Sequence, residues 1–253
     1  QLIASVIIIV IGNIRITHLH GFLGIGEISY MSSFLISLFI CMLVTNAINL
    51  IDGIDGLAAS MGIVAAFGFG SYFFYLHRIN SSIGCSSLIG TLSAFLIFNY
   101  SKGEKKIFMG DTGSQIIGFI LATFAIFYNE VTLVSPFELQ VNSAPVVTFA
   151  ILAIPIFDFL RVFFTRIIKG KNPFIGGKTH IHHELIAIGY SHHQATILIT
   201  AYSIFLIVIT YILSSKVGFY PLLLILTTLV LLFYIISFTH FYRKKNPKIQ
   251  TTK

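Results

Sequence analysis

The chain has 253 residues, 56% of them hydrophobic and only 10% charged, where a soluble domain carries about 25% charged residues. That excludes an ordinary soluble domain, and the long apolar runs favour membrane helices over barrel strands. The formal charge of +7 does not imply a nucleic-acid partner, because the basic residues gather between apolar runs and at the C-terminus, as in cytoplasmic loops.

The hydropathy pattern predicts an all-α, polytopic membrane bundle of about eight segments, roughly 2–14, 31–50, 57–76, 85–100, 114–129, 146–164, 195–213 and 219–241. Residues 1–241 read as one membrane-embedded domain with a long loop over 165–194. Residues 242–253 read as a basic cytoplasmic tail that anchors against anionic headgroups. The first apolar run is short for a span and opens on Gln1, so the expectation is a chain that starts inside a helix and lacks its natural N-terminus. Cys41 and Cys85 lie in apolar runs and read as core packing.

Placing the loop at Asp52 in the cytoplasm and alternating from there puts thirteen Lys and Arg on that side. Only Arg15, Arg78 and Lys216 fall on the other. The same choice gathers Asp52, Asp55, Asp111 and Asp158 near the cytoplasmic face, which predicts an active site there. His18, His20, His77, Glu27, Glu130 and Glu138 fall outside and are not expected to be catalytic.

Three clusters carry chemistry. In Asn46-Ala47-Ile48-Asn49-Leu50-Ile51-Asp52-Gly53-Ile54-Asp55-Gly56-Leu57, the residues Asn46, Asn49 and Asp52 fall at i, i+3 and i+6. On a helix they share one face, and Gly53 and Gly56 let the backbone turn close to a ligand. Carboxylates at a bilayer edge are costly and mark function more often than capping. In Ile107-Phe108-Met109-Gly110-Asp111-Thr112-Gly113-Ser114, Asp111 suits a hard divalent cation, and Thr112 and Ser114 can donate to phosphate at a helix N-terminus.

The third cluster is Pro173 to Glu184, with Lys178, His180, His182 and His183. Adjacent His182 and His183 cannot easily both turn inward to one zinc ion. The surrounding Arg161, Arg166, Lys169, Lys171 and Lys178 favour a negatively charged group such as a pyrophosphate. Asp158, three residues before Arg161, reads as an ion-pair partner that orients it. His192 and His193 read as surface residues.

These three motifs, in this order, resemble the bacterial polyprenyl-phosphate N-acetylhexosamine-1-phosphate transferases, the WecA/MraY-like group of glycosyltransferase family 4. The HIHH form after Pro173-Phe174 is closer to the WecA branch. The resemblance implies transfer of a sugar-1-phosphate, by default GlcNAc-1-phosphate, from a UDP-sugar to undecaprenyl phosphate, with UMP leaving. It implies Mg²⁺, with Mn²⁺ as the alternate ion, and a place at the start of cell-envelope polysaccharide synthesis in the bacterial inner membrane. By resemblance Asn49 and Asp111 are metal ligands, and Asp52, Asp55 and Asp111 are the catalytic carboxylates. Asn46, Arg161, Arg166, Lys178, His180, His182 and His183 are then substrate contacts. The family's earlier Asp-Asp pair is absent, and its expected place is just before Gln1. A membrane homodimer stays open. The other readings are an ion-coupled transporter and an inactive family member.

Overall fold

In the computed structural model, which describes residues 1–134, 143–172 and 180–245 with side chains through 239, the apolar stretches fold as helices. They are α1 (Leu2–Val10), α2 (Tyr30–Ile51), α3 (Leu57–Tyr75), α4 (Ile79–Asn99), α5 (Gly110–Leu133), α6 (Ala144–Ile151), α7 (Ala153–Ile168), α8 (Ile181–Ile188), α9 (His192–Ser214) and α10 (Phe219–Lys245). Six of these, α2, α3, α4, α5, α9 and α10, are long and apolar enough to cross a membrane. The eight expected segments map onto the observed helices with two differences. At nine residues α1 is about 14 Å long, about half a bilayer core. The segment expected at 146–164 is two helices, α6 and α7, bent by 76° at Leu152, and together they would make a seventh span.

Local chemistry explains the boundaries. Ser29 caps α2 by accepting from the Ser32 N–H at 3.3 Å. Ser191 and Gln194 form a reciprocal capping box that starts α9. Gly189, at φ +108°, closes α8 in the left-handed conformation that a side chain disfavours. Pro155 stands in the first turn of α7, where its missing N–H costs little.

Packing brings the α2 C-terminus beside the start of α5. At Gly118 of α5 an added Cβ would stand 2.8 Å from the Thr45 Cα of α2, so the two backbones touch. Phe69, Tyr72 and Phe73 of α3 pack with Tyr128 of α5 in the largest buried aromatic group. A second core joins α8, α9 and α10 through Leu185, Ile199, Leu206, Leu222 and Leu226. The result is a bundle in which the ends of α2 and α4, the middle of α7 and the starts of α3, α5, α8 and α9 meet. At the opposite end, residues 17–28 form a small hairpin, and Glu130 accepts from both Thr17 N–H at 2.8 Å and Thr17 Oγ at 2.6 Å. Glu138 lies outside the described residues, as do the side chains of the basic tail.

Candidate active site

Helix α2 ends at Ile51, so Asn46 and Asn49 project from its last turns while Asp52 stands just beyond, as the C-cap. Asp111 lies in the first turn of α5, after Gly110 at φ +65°. The two clusters meet through Ser114: its hydroxyl donates to Asn49 Oδ1 at 2.6 Å and also lies 3.1 Å from Gly110 O and 3.2 Å from Asp111 O. Ser114 is therefore engaged with Asn49 rather than turned out as a phosphate donor. Burial, and then the negative charge of Asp111, push the Asp52 carboxyl up to about 6. Two carboxylates and an amide oxygen thus converge where added positive charge is favourable. Asn46 donates to Met42 O at 2.7 Å and pairs with the Gln1 amide at 3.2 and 3.4 Å.

The histidine motif arrives from the other side. His180 and His182 are buried, and their rings lie parallel within 5° with centroids 5.8 Å apart. The His183 ring is 4.2 Å from that of His182 and is partly exposed. His182 faces the turn after Asp52: a Cβ added to Gly53 would run into its Nε2, and would stand 2.8 Å from its Cε1. Among the described residues, neither ring nitrogen of His182 has a hydrogen-bond partner. Burial first, and the neighbouring His183 second, hold its imidazole down at about 3, so it is neutral near pH 7.

Beneath these rings, Asp158 accepts from His180 Nδ1 at 2.7 Å, from the Ile181 N–H at 3.0 Å and from Arg161 at 3.0 Å. Arg161 also donates to Glu184 at 2.8 Å. Asp55 sits further out. Its carboxylate pairs with Lys106 at 2.8 Å and approaches His192 at 3.5 Å, and its backbone carbonyl accepts from Thr196 at 2.9 Å. Gly56, at φ +77°, passes against the Tyr100 hydroxyl, and Tyr100 meets His193 edge-on at 5.3 Å. His192 and His193 are exposed on one side but border this latch.

The sequence that builds this junction is similar to known proteins. Residues 1–129 match the family described as Glycosyl transferase family 4. The chain belongs to that family. An undecaprenyl-phosphate alpha-N-acetylglucosaminyl 1-phosphate transferase of Escherichia coli K12 is 29% identical over 203 residues, covering 79% of this chain and 53% of the relative. A decaprenyl-phosphate N-acetylglucosaminephosphotransferase of Mycobacterium leprae is 33% identical over 202 residues, covering 70% of this chain and 47% of the relative. The chain thus spans about half the length of these family-4 relatives.

In this family-4 chain the structure brings Asn49, Asp52 and Asp111 together and sets His182 against the turn after Asp52, with His180 and His183 beside His182. Arg166 is half-buried near the end of α7, and Lys178 lies outside the described residues. Among the described residues no group of three or more His, Cys, Asp or Glu side chains forms a ready metal cage. Lys106, Ser114, Glu184 and Tyr234 are contributors that the sequence did not single out for these roles. Lys106 lies beside a recognised motif and Ser114 and Glu184 within one; the sequence marks Ser114 as a phosphate donor, and proximity was the one signal for the other two. Tyr234 had none, because it reaches the site only through the packing of α10.

Proposed function

We propose that this chain is the substrate- and metal-binding part of a membrane enzyme that moves a sugar-1-phosphate from a UDP-sugar to a polyprenyl phosphate and releases UMP. GlcNAc-1-phosphate is the default group, supported by both relatives' names, and undecaprenyl phosphate the default acceptor, supported by the name of the Escherichia coli relative. The observation that carries the reading is the Ser114–Asn49 bond, which ties the two clusters with acidic groups into one site.

Mg²⁺ fits the donor set. Burial first, and the negative charge of Asp111 second, raise the Asp52 carboxyl, so a bound cation is favoured there, and Asn49 adds a hard amide oxygen. Mg²⁺ is commonly held by one or two carboxylates together with substrate phosphates, so a complete protein cage is not needed. Bound there, the ion would offset the negative charge of the reacting phosphates. Asn49, Asp52 and Asp111 would hold it, and His182, neutral and without a hydrogen-bond partner among the described residues, can donate its ring N–H to the donor diphosphate. The acceptor phosphate attacks the phosphorus that carries the sugar, and UMP leaves. Positioning and charge stabilisation supply most of the catalysis in such transfers.

An apolar cavity of about 390 Å³ between α2, α5, α6 and α7 supports the lipid acceptor. Its lining runs from His18 and Leu19 at the opposite end through Ile40 and Leu152 to Leu43, Val44 and Leu160, which lie within a turn of Asn46 or Arg161. The thirteen-to-three charge bias supports a cytoplasmic site in a bacterial inner membrane. Against a carrier, the polar groups gather at one end of the bundle rather than at its midplane. The test supplies labelled UDP-GlcNAc, undecaprenyl phosphate and Mg²⁺ to the protein in membranes. A lipid-linked sugar diphosphate is expected, and no product with any UDP-hexosamine overturns the reading.

A further inference from the structure

Asp158 is 1% exposed, although it carries a charge. A buried carboxylate is tolerated only when its lone pairs are met. Here they are met by an imidazole N–H, a backbone N–H and a guanidinium, all within 3.0 Å. Arg161 completes the arrangement. One terminal nitrogen goes to Asp158 and the other to Glu184, and its guanidinium carbon lies 5.1 Å from the centre of the Tyr234 ring. Tyr234 in turn reaches Ile154 O at 3.3 Å. Helix α7 is thereby tied to α8 and α10 by charge.

What this holds is α8. Eight residues are too few for a helix to persist alone in water. Asp158 anchors its first turn at the Ile181 N–H, and Arg161 anchors the same turn through Glu184. A carboxylate can only accept, so the proton between Asp158 and His180 sits on Nδ1 in either charge state of the ring. His182 stacks on His180 and stands against Gly53 only while α8 is docked this way.

We propose that Asp158 is a positioning residue for the transfer reaction: with Arg161 and Glu184 it fixes the His180 tautomer and clamps α8 so that His182 meets the donor beside the Asp52–Gly53 turn. This rests on the reading given under Proposed function. It gives Arg161 a different task from phosphate binding, because its two terminal nitrogens are engaged with carboxylates.

The test compares wild type, Asp158→Asn and Arg161→Lys in nanodiscs. Asn keeps an acceptor for Ile181 and Arg161, and Lys keeps the charge but loses the fork. The first measurement needs no turnover: diethylpyrocarbonate labelling of each histidine, read by mass spectrometry. In wild type His180 and His182 are protected relative to His183 and His192, and in both variants their labelling rises at least tenfold. The ¹⁵N spectrum of His180 shows the Nδ1-protonated form in wild type and a tautomer mixture in Asp158→Asn. Turnover per folded enzyme falls about 10- to 100-fold, the span found for outer partners of ligand-holding histidines. KM for the polyprenyl phosphate stays within about twofold. Unchanged labelling and tautomer in Asp158→Asn overturn the proposal. So does Arg161→Lys that raises only KM for the UDP-sugar, the signature of a phosphate contact. If Asp158→Asn does not fold, Arg161→Lys decides alone. Protected histidines in a wild type that transfers no sugar would remove the proposed reaction and leave the clamp standing.

Discussion

The Ser114 hydroxyl donates to Asn49 Oδ1 across 2.6 Å, and this bond joins side chains sixty-five positions apart in the sequence. Ser114 is fully buried, so Ser114→Ala removes the hydroxyl donor from the Asn49 amide oxygen. The loss of stability is expected to be about 1 kcal/mol, read by thermal unfolding. The Mg²⁺ concentration for half-maximal turnover is expected to rise several-fold, because Asn49 is then free to rotate away from Asp111. Unchanged Mg²⁺ dependence would place Asn49 outside the metal site.

Asp52 gives a prediction with opposite signs for stability and function. Its carboxyl stands near 6 in the fold against 3.8 in an unfolded chain, so the folded state holds the proton more tightly. The stability this contributes is present below about pH 4 and is lost as pH rises through 6. At pH 7.5 without Mg²⁺, Asp52→Asn is therefore expected to raise Tm by about 2 to 4 °C, since it removes a buried charge and its repulsion with Asp111. Transfer activity is expected to vanish. The Tm gain that Mg²⁺ gives wild type should shrink in the variant. A variant that is less stable at pH 7.5 would refute the charge argument.

Asp55 was expected among the catalytic carboxylates, and the structure pairs it with Lys106 at 2.8 Å, four residues before the helix that carries Asp111. Both side chains are partly exposed, so the pair contributes less than about 1 kcal/mol to stability. Its value would then lie in holding the loop ahead of Asp111. Lys106→Met and Asp55→Asn should lower turnover by similar factors, and the double variant should be no worse than either. A much larger loss from Asp55→Asn alone would show that the carboxylate itself meets substrate.

The bundle and the three motifs were legible in the sequence for a physical reason. Long apolar runs have few alternatives in a bilayer, and Asn49, Asp52 and Asp111 stand out against them. What could not be read is which polar groups are already engaged. Arg161 looks available for a phosphate until Asp158 and Glu184 are seen on its two terminal nitrogens. Ser114 looks like a phosphate donor until its hydroxyl is found on Asn49. The 76° bend at Leu152 has no sharp signal either, because Pro145 and Pro155 both stand in first turns and mark starts rather than an angle. Tyr234 reaches the site only through packing across some seventy residues from Arg161, which no local spacing encodes.

The buried imidazole of His182 makes α8 sensitive to acid. In the fold its pKa is about 3 and in an unfolded segment 6.5, so the open form takes up the proton first. The stability of the docked helix is complete above about pH 6.5 and is lost as pH falls toward 3, by at most about 1.4 kcal/mol per pH unit. Burial raises the Glu184 carboxyl above its ordinary value, so its contribution has the opposite sign and offsets part of this loss. Amide exchange over Leu185–Ile188, corrected for its intrinsic pH dependence, reads this directly. Between pH 7 and pH 5 protection should fall at least tenfold in wild type and much less in His182→Phe, which keeps an aromatic ring and loses the titration. Equal losses in both would move the acid sensitivity to the His180–Asp158 pair.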